Sequence, residues 1–272
     1  LIPSVLPVIE PLSVTQRRKA MRTRISCLAV AVLACSAFGI LAARAAEGVS
    51  APISAAVDNP ARPDADKQRD VNRKPAESIA FAGLKPGDKI VDLLPGSGYF
   101  TRIFSKVVGP KGHVYAVWPQ GVPENRAAAV KAVAADPAYA NVTELEQPLT
   151  ALKLAEPVDM VWTSQNYHDL HNIPGLDLGA VNKSVFDALK PGGIYIVLDH
   201  VAAAGSGFRD TGTLHRIDPE AVKSEVEAAG FKFVAQSDVL RNPADPHTAK
   251  VFDPSIRGKT DQFILKFQKP AK

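Results

Sequence analysis

Residues 91–100 read VDLLPGSGYF: the end of an apolar strand, a turn carrying two glycines, and two aromatic residues placed to open a helix. A strand that passes through a glycine turn into a helix is the entry unit of an open α/β sheet, and such turns hold ligands. Gly-Ser-Gly alone serves any tight strand-to-helix turn, so the flanking pattern has to decide. Downstream, residues 99–108 set Phe100, Ile103, Phe104 and Val107 at helical spacing and stop at Gly109-Pro110.

The alternation continues to the end of the chain. With the strand at 89–94, apolar runs at 113–117, 142–146, 158–164, 194–198, 231–235 and 262–267 make seven strands. Helical segments fall at 123–135, along the face of Val181, Val185 and Leu189, and at 218–229. The last carries the clearest signals, with Asp218 as N-cap, Pro219 at the first helical position and Gly230 at the end. Pro191-Gly192-Gly193 reads as a turn between the preceding helix and the fifth strand. Strands interleaved with helices predict a doubly wound α/β domain.

The N-terminal part reads differently. Met21 opens a segment with two early arginines, an apolar run over 25–41 and the triplet Ala43-Arg44-Ala45. This is the layout of a secretory signal, expected to be cleaved after Ala45. The run is too short for a membrane span, which needs about 20 apolar residues. Residues 1–20 read as an upstream extension outside the fold, 21–45 as the signal, 46–70 as a flexible polar arm, and 71–270 as the α/β domain. The product is then exported, with the periplasm as its expected location and no stable membrane insertion after cleavage.

Subtracting 1–45 leaves 26 Lys+Arg against 27 Asp+Glu, so the apparent basicity of the chain disappears. That balance gives no electrostatic reason to expect nucleic acid as a partner. Both cysteines, Cys27 and Cys35, fall in the signal. The remaining chain is expected to have neither disulfide nor cysteine nucleophile.

The turn fits neither common phosphate cradle. A dinucleotide fingerprint wants a third glycine where Thr101 stands and an acidic ribose partner about 20 residues on, and a P-loop wants Gly-Lys-Ser/Thr. What remains is a loop for a ligand without a pyrophosphate. Taken together, KPGDKIVDLLPGSGYFT, PVDMVWTSQNYHDLH and ALKPGGIYIVLDH, in that order, resemble class I S-adenosylmethionine-dependent methyltransferases, and more closely a group of exported bacterial proteins of predicted methyltransferase type.

The resemblance covers roughly residues 71–269. It implies a seven-stranded, mostly parallel sheet with the last strand antiparallel, S-adenosylmethionine as cofactor, and a small-molecule or protein acceptor in the cell envelope. It also implies that Asp92, Leu94, Pro95, Gly96, Ser97 and Gly98 line the cofactor. Leu94 stands where the family has its first glycine. Trp118 stands where a carboxylate usually meets the ribose, and Gln147 where an acidic residue usually meets the adenine amino group. An indole can stack on adenine, and Gln147 keeps a hydrogen-bonding amide.

The loops after the fourth and fifth strands gather Tyr167, His168, Asp169 and His171, then Asp199 and His200, with His215 beyond. Methyl transfer to oxygen or nitrogen is helped by a base that takes the acceptor's proton, and histidine titrates in the right range. The expected acceptor-side residues are Tyr167, His168, Asp199 and His200. Two alternatives stand beside this: a non-catalytic ligand-binding module on the same fold, and a metal-dependent enzyme using His168, His171 and His200 with Asp169. Histidines that simply tie strand ends to loop backbone fit the same pattern.

Overall fold

The computed structural model describes residues 48–271, so the expected extension at 1–20 and signal at 21–45 lie outside the described residues. Seven strands form one sheet: β1 (Lys89–Leu93), β2 (His113–Pro119), β3 (Val142–Gln147), β4 (Val158–Ser164), β5 (Leu189–His200), β6 (Lys232–Ser237) and β7 (Gln262–Gln268). Their order across the sheet is β3-β2-β1-β4-β5-β7-β6. β1 to β5 run parallel, and β7 is antiparallel to both β5 and β6. The expected seven-stranded, doubly wound architecture with an antiparallel last strand is therefore what the chain adopts.

The helices are α1 (Ala51–Val57), α2 (Asp64–Arg73), α3 (Pro75–Ala82), α4 (Tyr99–Val108), α5 (Glu124–Ala135), α6 (Tyr167–Leu170), α7 (Leu178–Ala188) and α8 (Pro219–Ala228). Side chains alternate across each strand, and this period divides the core in two. Ile90, Val114, Ala116, Met160, Trp162, Ile196 and Ile264 face α1, α3, α4 and α5. Val91, Leu93, Val117, Val161, Val197, Phe263 and Leu265 face α7 and α8, meeting Val181, Val185, Val222 and Val226. Most strand residues of β1, β2 and β4 are buried, as expected for a sheet covered on both faces.

Two sequence expectations are corrected. The segment expected as a flexible arm is helical and packed: Ile53 and Ala56 of α1 join the core, and Arg62 and Asp66 are buried. Several of its charges are held in ion pairs. Asp70 Oδ1 lies 2.8 Å from Arg62 Nη2, and Asp66 Oδ2 lies 2.6 Å from Arg102 Nη2 on α4. Pro191-Gly192-Gly193 is not a separate turn but a bulge inside β5, where pairing with β4 jumps from Leu189 opposite Val158 to Ile194 opposite Met160. Among the described residues no helix is long and apolar enough to cross a membrane.

Candidate functional site

The strand order reverses between β1 and β4, so the connections leaving them diverge and open a crevice at their carboxyl ends. A cavity of about 400 Å³ occupies it, walled by the turn from Leu94 to Ser97, by Asp92, Tyr99 and Phe100, by Trp118 at the end of β2, and by Gln165 and Asn166 after β4. Arg69 and Arg73 close it from α2. A chamber of about 680 Å³ adjoins it, sharing Leu94, Trp118, Arg126, Gln165 and Asp169, and continuing to His168, His200, His215 and Phe252.

The turn is held in a conformation unusual for its sequence. Leu94 has φ +55°, the left-handed region that favours glycine and disfavours a branched side chain by about 1–2 kcal/mol. Two bonds hold it there. Its N–H donates to Val117 O at 2.9 Å, and its carbonyl accepts from Asn166 Nδ2 at 2.7 Å. The backbone thus keeps a glycine-like path with leucine in place. At Gly96 a Cβ would meet nothing within 4 Å, leaving this backbone open to the cavity, whereas at Gly98 it would press on Arg102, Val130 and Val133.

Asp92 sits buried at the foot of the cavity. Burial pushes its carboxyl up to about 7, opposed by the Thr101 hydroxyl, which donates to Oδ2 at 2.6 Å, and by the field of Arg73. Thr101 stands where a third glycine was sought, and its hydroxyl is what occupies that place. Arg73 is half-buried, and desolvation lowers its guanidinium to about 10. It lies over the rings of Tyr99 and Phe100, at 4.6 and 5.8 Å, and donates to Gln165 Oε1. No carboxylate pairs with it among the described residues. Trp118 is buried, and its indole Nε1 has no hydrogen-bond partner there.

The acceptor-side residues divide. His168 is brought to Asp199, with Nδ1 at 2.8 Å from Oδ1 and its backbone N–H donating to Oδ2 at 2.8 Å. Burial alone would lower His168, but Asp199 and Asp169 outweigh it and take the imidazole up to about 10. His168 alone is therefore held protonated, which does not suit the expected role of base. His200 lies on the chamber wall with Nδ1 at 2.7 Å from Thr260 Oγ1, and burial drops it to about 4, so it is neutral.

Tyr167 does not face the acceptor. Its hydroxyl donates to Glu225 Oε2 at 2.5 Å and accepts from Asn182 Nδ2 at 2.8 Å, within the α7–α8 layer. Gln147 does not face the cofactor cavity either, because its amide closes a ring with Lys153, Nε2 to O at 2.8 Å and Oε1 from N at 2.7 Å. The expected grouping of His168, His171 and His200 does not assemble. His171 stacks on Phe208 at 4.1 Å, with Nε2 3.2 Å from Glu225 Oε2, and it is His215 that approaches His168 and Asp169. The residues that sequence reasoning passed over are Arg69, Arg73, Thr101, Gln165 and Asn166. Only Thr101 carried a signal, as the departure from the glycine pattern.

No family model matches the chain. Over 125 residues, 45% of its length, it is 32% identical to the 2-phytyl-1,4-naphtoquinone methyltransferase of Synechococcus elongatus, covering 50% of that protein. Over 49 residues, 18% of its length, it is 39% identical to a protein-L-isoaspartate O-methyltransferase of Ignicoccus hospitalis, covering 22% of it. The chain thus spans half the length, or less, of these relatives.

Among solved structures it superposes on an S-adenosylmethionine-dependent methyltransferase from Aquifex aeolicus with a TM-score of 0.53 and 20% identity, covering 76% of this chain and 98% of that one. The cyclase SpnF gives 0.53 and 19%, covering 76% and 82%, and the glycopeptide N-methyltransferase MtfA with sinefungin gives 0.52 and 17%, covering 78% and 90%. The fold is the class I methyltransferase fold. A cyclase on the same scaffold shows why the reaction has to be argued from the site.

Proposed function

We propose that the protein is an S-adenosylmethionine-dependent methyltransferase whose cofactor lies in the 400 Å³ cavity and whose acceptor lies in the adjoining chamber. One observation carries the proposal: the cavity wall holds a half-buried guanidinium that no carboxylate pairs among the described residues and a buried indole N–H without an acceptor. A buried donor left without an acceptor costs about 1–3 kcal/mol, and a zwitterionic adenosyl amino acid offers an acceptor to the indole and a carboxylate to the guanidinium. Arg73 would hold its carboxylate. Asp92 would meet its cationic portion, Trp118 would face the adenosine, and the open backbone at Gly96 would let the ligand approach.

The cofactor, when bound, supplies a methyl group on a sulfonium, ready for in-line displacement. The chain's own residues position the partners and manage the acceptor's proton. His200, neutral at physiological pH and on the chamber wall, would receive a hydrogen bond from an acceptor. The exposed apolar groups Ile173 and Phe252, with Leu94, Val122 and Val251, give the chamber a largely apolar lining that suits an acceptor with an aromatic or aliphatic body. The export signal read at 21–45 makes the cell envelope the site of action in this proposal, with a small molecule or a protein as acceptor.

Calorimetry on the purified protein with S-adenosylmethionine and S-adenosylhomocysteine tests the reading. Micromolar binding to the wild type that is abolished in Gly96→Trp, with thermal unfolding showing both proteins folded, is the expected result. Absence of binding at millimolar concentration, or binding undiminished in the variant, would overturn it.

A further inference from the structure

We propose that His168, Asp169 and His215 form a binding site for a zinc-class divalent cation, with one coordination position open to the acceptor chamber. The three side chains come from the short helix α6 and from a loop 45 residues beyond its end, yet they present one ligand atom each to a common point. His168 Nε2 lies 3.3 Å from His215 Nδ1 and 3.3 Å from Asp169 Oδ1, and His215 Nδ1 lies 3.3 Å from the same Asp169 oxygen.

An equilateral triangle of that edge matches a tetrahedral ion. Zinc binds imidazole nitrogen and carboxylate oxygen at about 2.0–2.2 Å, so adjacent ligands of a tetrahedral ion stand roughly 3.3–3.5 Å apart, whereas an octahedral ion of the same radius would draw them to about 2.9 Å. The observed edges are those of a tetrahedral face. Two nitrogen donors also point away from magnesium and calcium, which take oxygen ligands, and toward zinc or a neighbouring transition ion.

The surroundings carry the second line of argument. Asp199, fully buried, receives the Nδ1–H of His168 at 2.8 Å. This is the carboxylate–histidine support that fixes a metal-binding imidazole with its other nitrogen bare and forward. His215 is held at φ +55°, backbone strain of the kind that persists where a side chain must be aimed. Its ring is braced by Phe252 at 4.9 Å. Two carboxylates around two imidazoles suit the charge of a divalent cation, whose binding displaces any proton on His168 Nε2.

His168, Asp169 and His215 all line the 680 Å³ chamber, so the fourth position of the ion faces space where water or a ligand oxygen fits. Use of that position for an acceptor hydroxyl rests on the methyltransferase reading, but the site itself does not. Three protein ligands with one position open are the pattern of a catalytic rather than a structural site.

The full chain, stripped with chelator and exchanged into metal-free buffer, is titrated with Zn(II) by calorimetry and with Co(II) by visible absorption. One zinc per chain at micromolar affinity or tighter, with the intense visible bands of four-coordinate cobalt, is expected. Asp169→Asn and His215→Ala should abolish stoichiometric binding. Asp199→Asn should weaken it roughly 10- to 100-fold, as loss of a supporting carboxylate does, and His171→Ala should leave it unchanged. Substoichiometric zinc in the wild type, or equal loss in His171→Ala, overturns the site. Asp169 is half exposed, so its isosteric variant keeps the test independent of folding, which thermal unfolding confirms. S-adenosylhomocysteine binding to the stripped protein is measured alongside, so failure of the metal site and failure of the cofactor reading give different results.

Discussion

Removing the titration of Asp92 by Asp92→Asn isolates a pH dependence that the fold builds into the cofactor cavity. Burial raises this carboxyl to about 7 in the folded protein, against an ordinary value of 3.8. Below pH 4 the group is protonated in both folded and unfolded chains and contributes no pH slope. Between about pH 4 and 7 the unfolded chain releases the proton while the folded chain keeps it, so stability falls as pH rises, and above 7 the difference is constant. The shift of about three units corresponds to roughly 4 kcal/mol across that window. Urea denaturation of wild type and variant at half-unit steps from pH 4 to 9 gives the difference directly, since other titrating groups are common to both. The wild type should lose about 4 kcal/mol relative to the variant between pH 4 and 7, within a factor of two, and nothing further above it. Parallel curves would show that Asp92 is solvated or fully paired and would refute the reasoning. A cationic ligand seated against Asp92 should favour its ionised form, so affinity for S-adenosylmethionine should rise with pH through the same window.

Arg73→Met should reduce affinity for S-adenosylhomocysteine by about 10- to 100-fold, the worth of a charge-assisted bond, while leaving affinity for 5′-methylthioadenosine, which lacks the carboxylate, unchanged in calorimetry. Tyr167→Phe should lower stability by about 1–2 kcal/mol in chemical denaturation, because Asn182 and Glu225 lose their shared hydroxyl, with no change in cofactor affinity. Arg216→Met should lower stability by about 3–5 kcal/mol, because it strands the buried Asp245 carboxylate 2.9 Å away and releases the Val201 and Ala249 carbonyls. A loss below about 1 kcal/mol would mean that this loop is held by other contacts.

What the sequence disclosed followed from local pattern. The helix at 99–108 has its observed bounds because Phe100, Ile103, Phe104 and Val107 carry its period and Gly109 stops it. Asp218 was recognisable as a cap, and its side chain does accept the Glu220 N–H. The seven-stranded, mostly parallel sheet followed from alternation and resemblance together. What stayed hidden was set by partners distant in sequence. Asp66 and Arg62 read as solvated charges until Arg102 and Asp70 are brought to them. Tyr167 read as a site residue because it borders His168, yet adjacent residues of a helix point in different directions. Arg73 carried no motif at all, and its importance comes from the absence of a carboxylate beside it, a fact that only packing defines. Gln147 matched a family position by alignment of strand ends, but a nearby backbone amide and carbonyl at Lys153 captured its side chain first.

The placement of β7 has a consequence for how the chain matures. This strand is the last in sequence but not at the border of the sheet, since it hydrogen-bonds both β5 and β6, and it delivers Phe263, Ile264, Leu265 and Phe267 to the two core layers. Until residues 262–268 have been synthesised, β5 has an unpaired border and β6 has no neighbour to join. The antiparallel end of the sheet can therefore close only once residues 262–268 are in place. A chain cut short before residue 262 would keep that border of β5 open and leave β6 unattached.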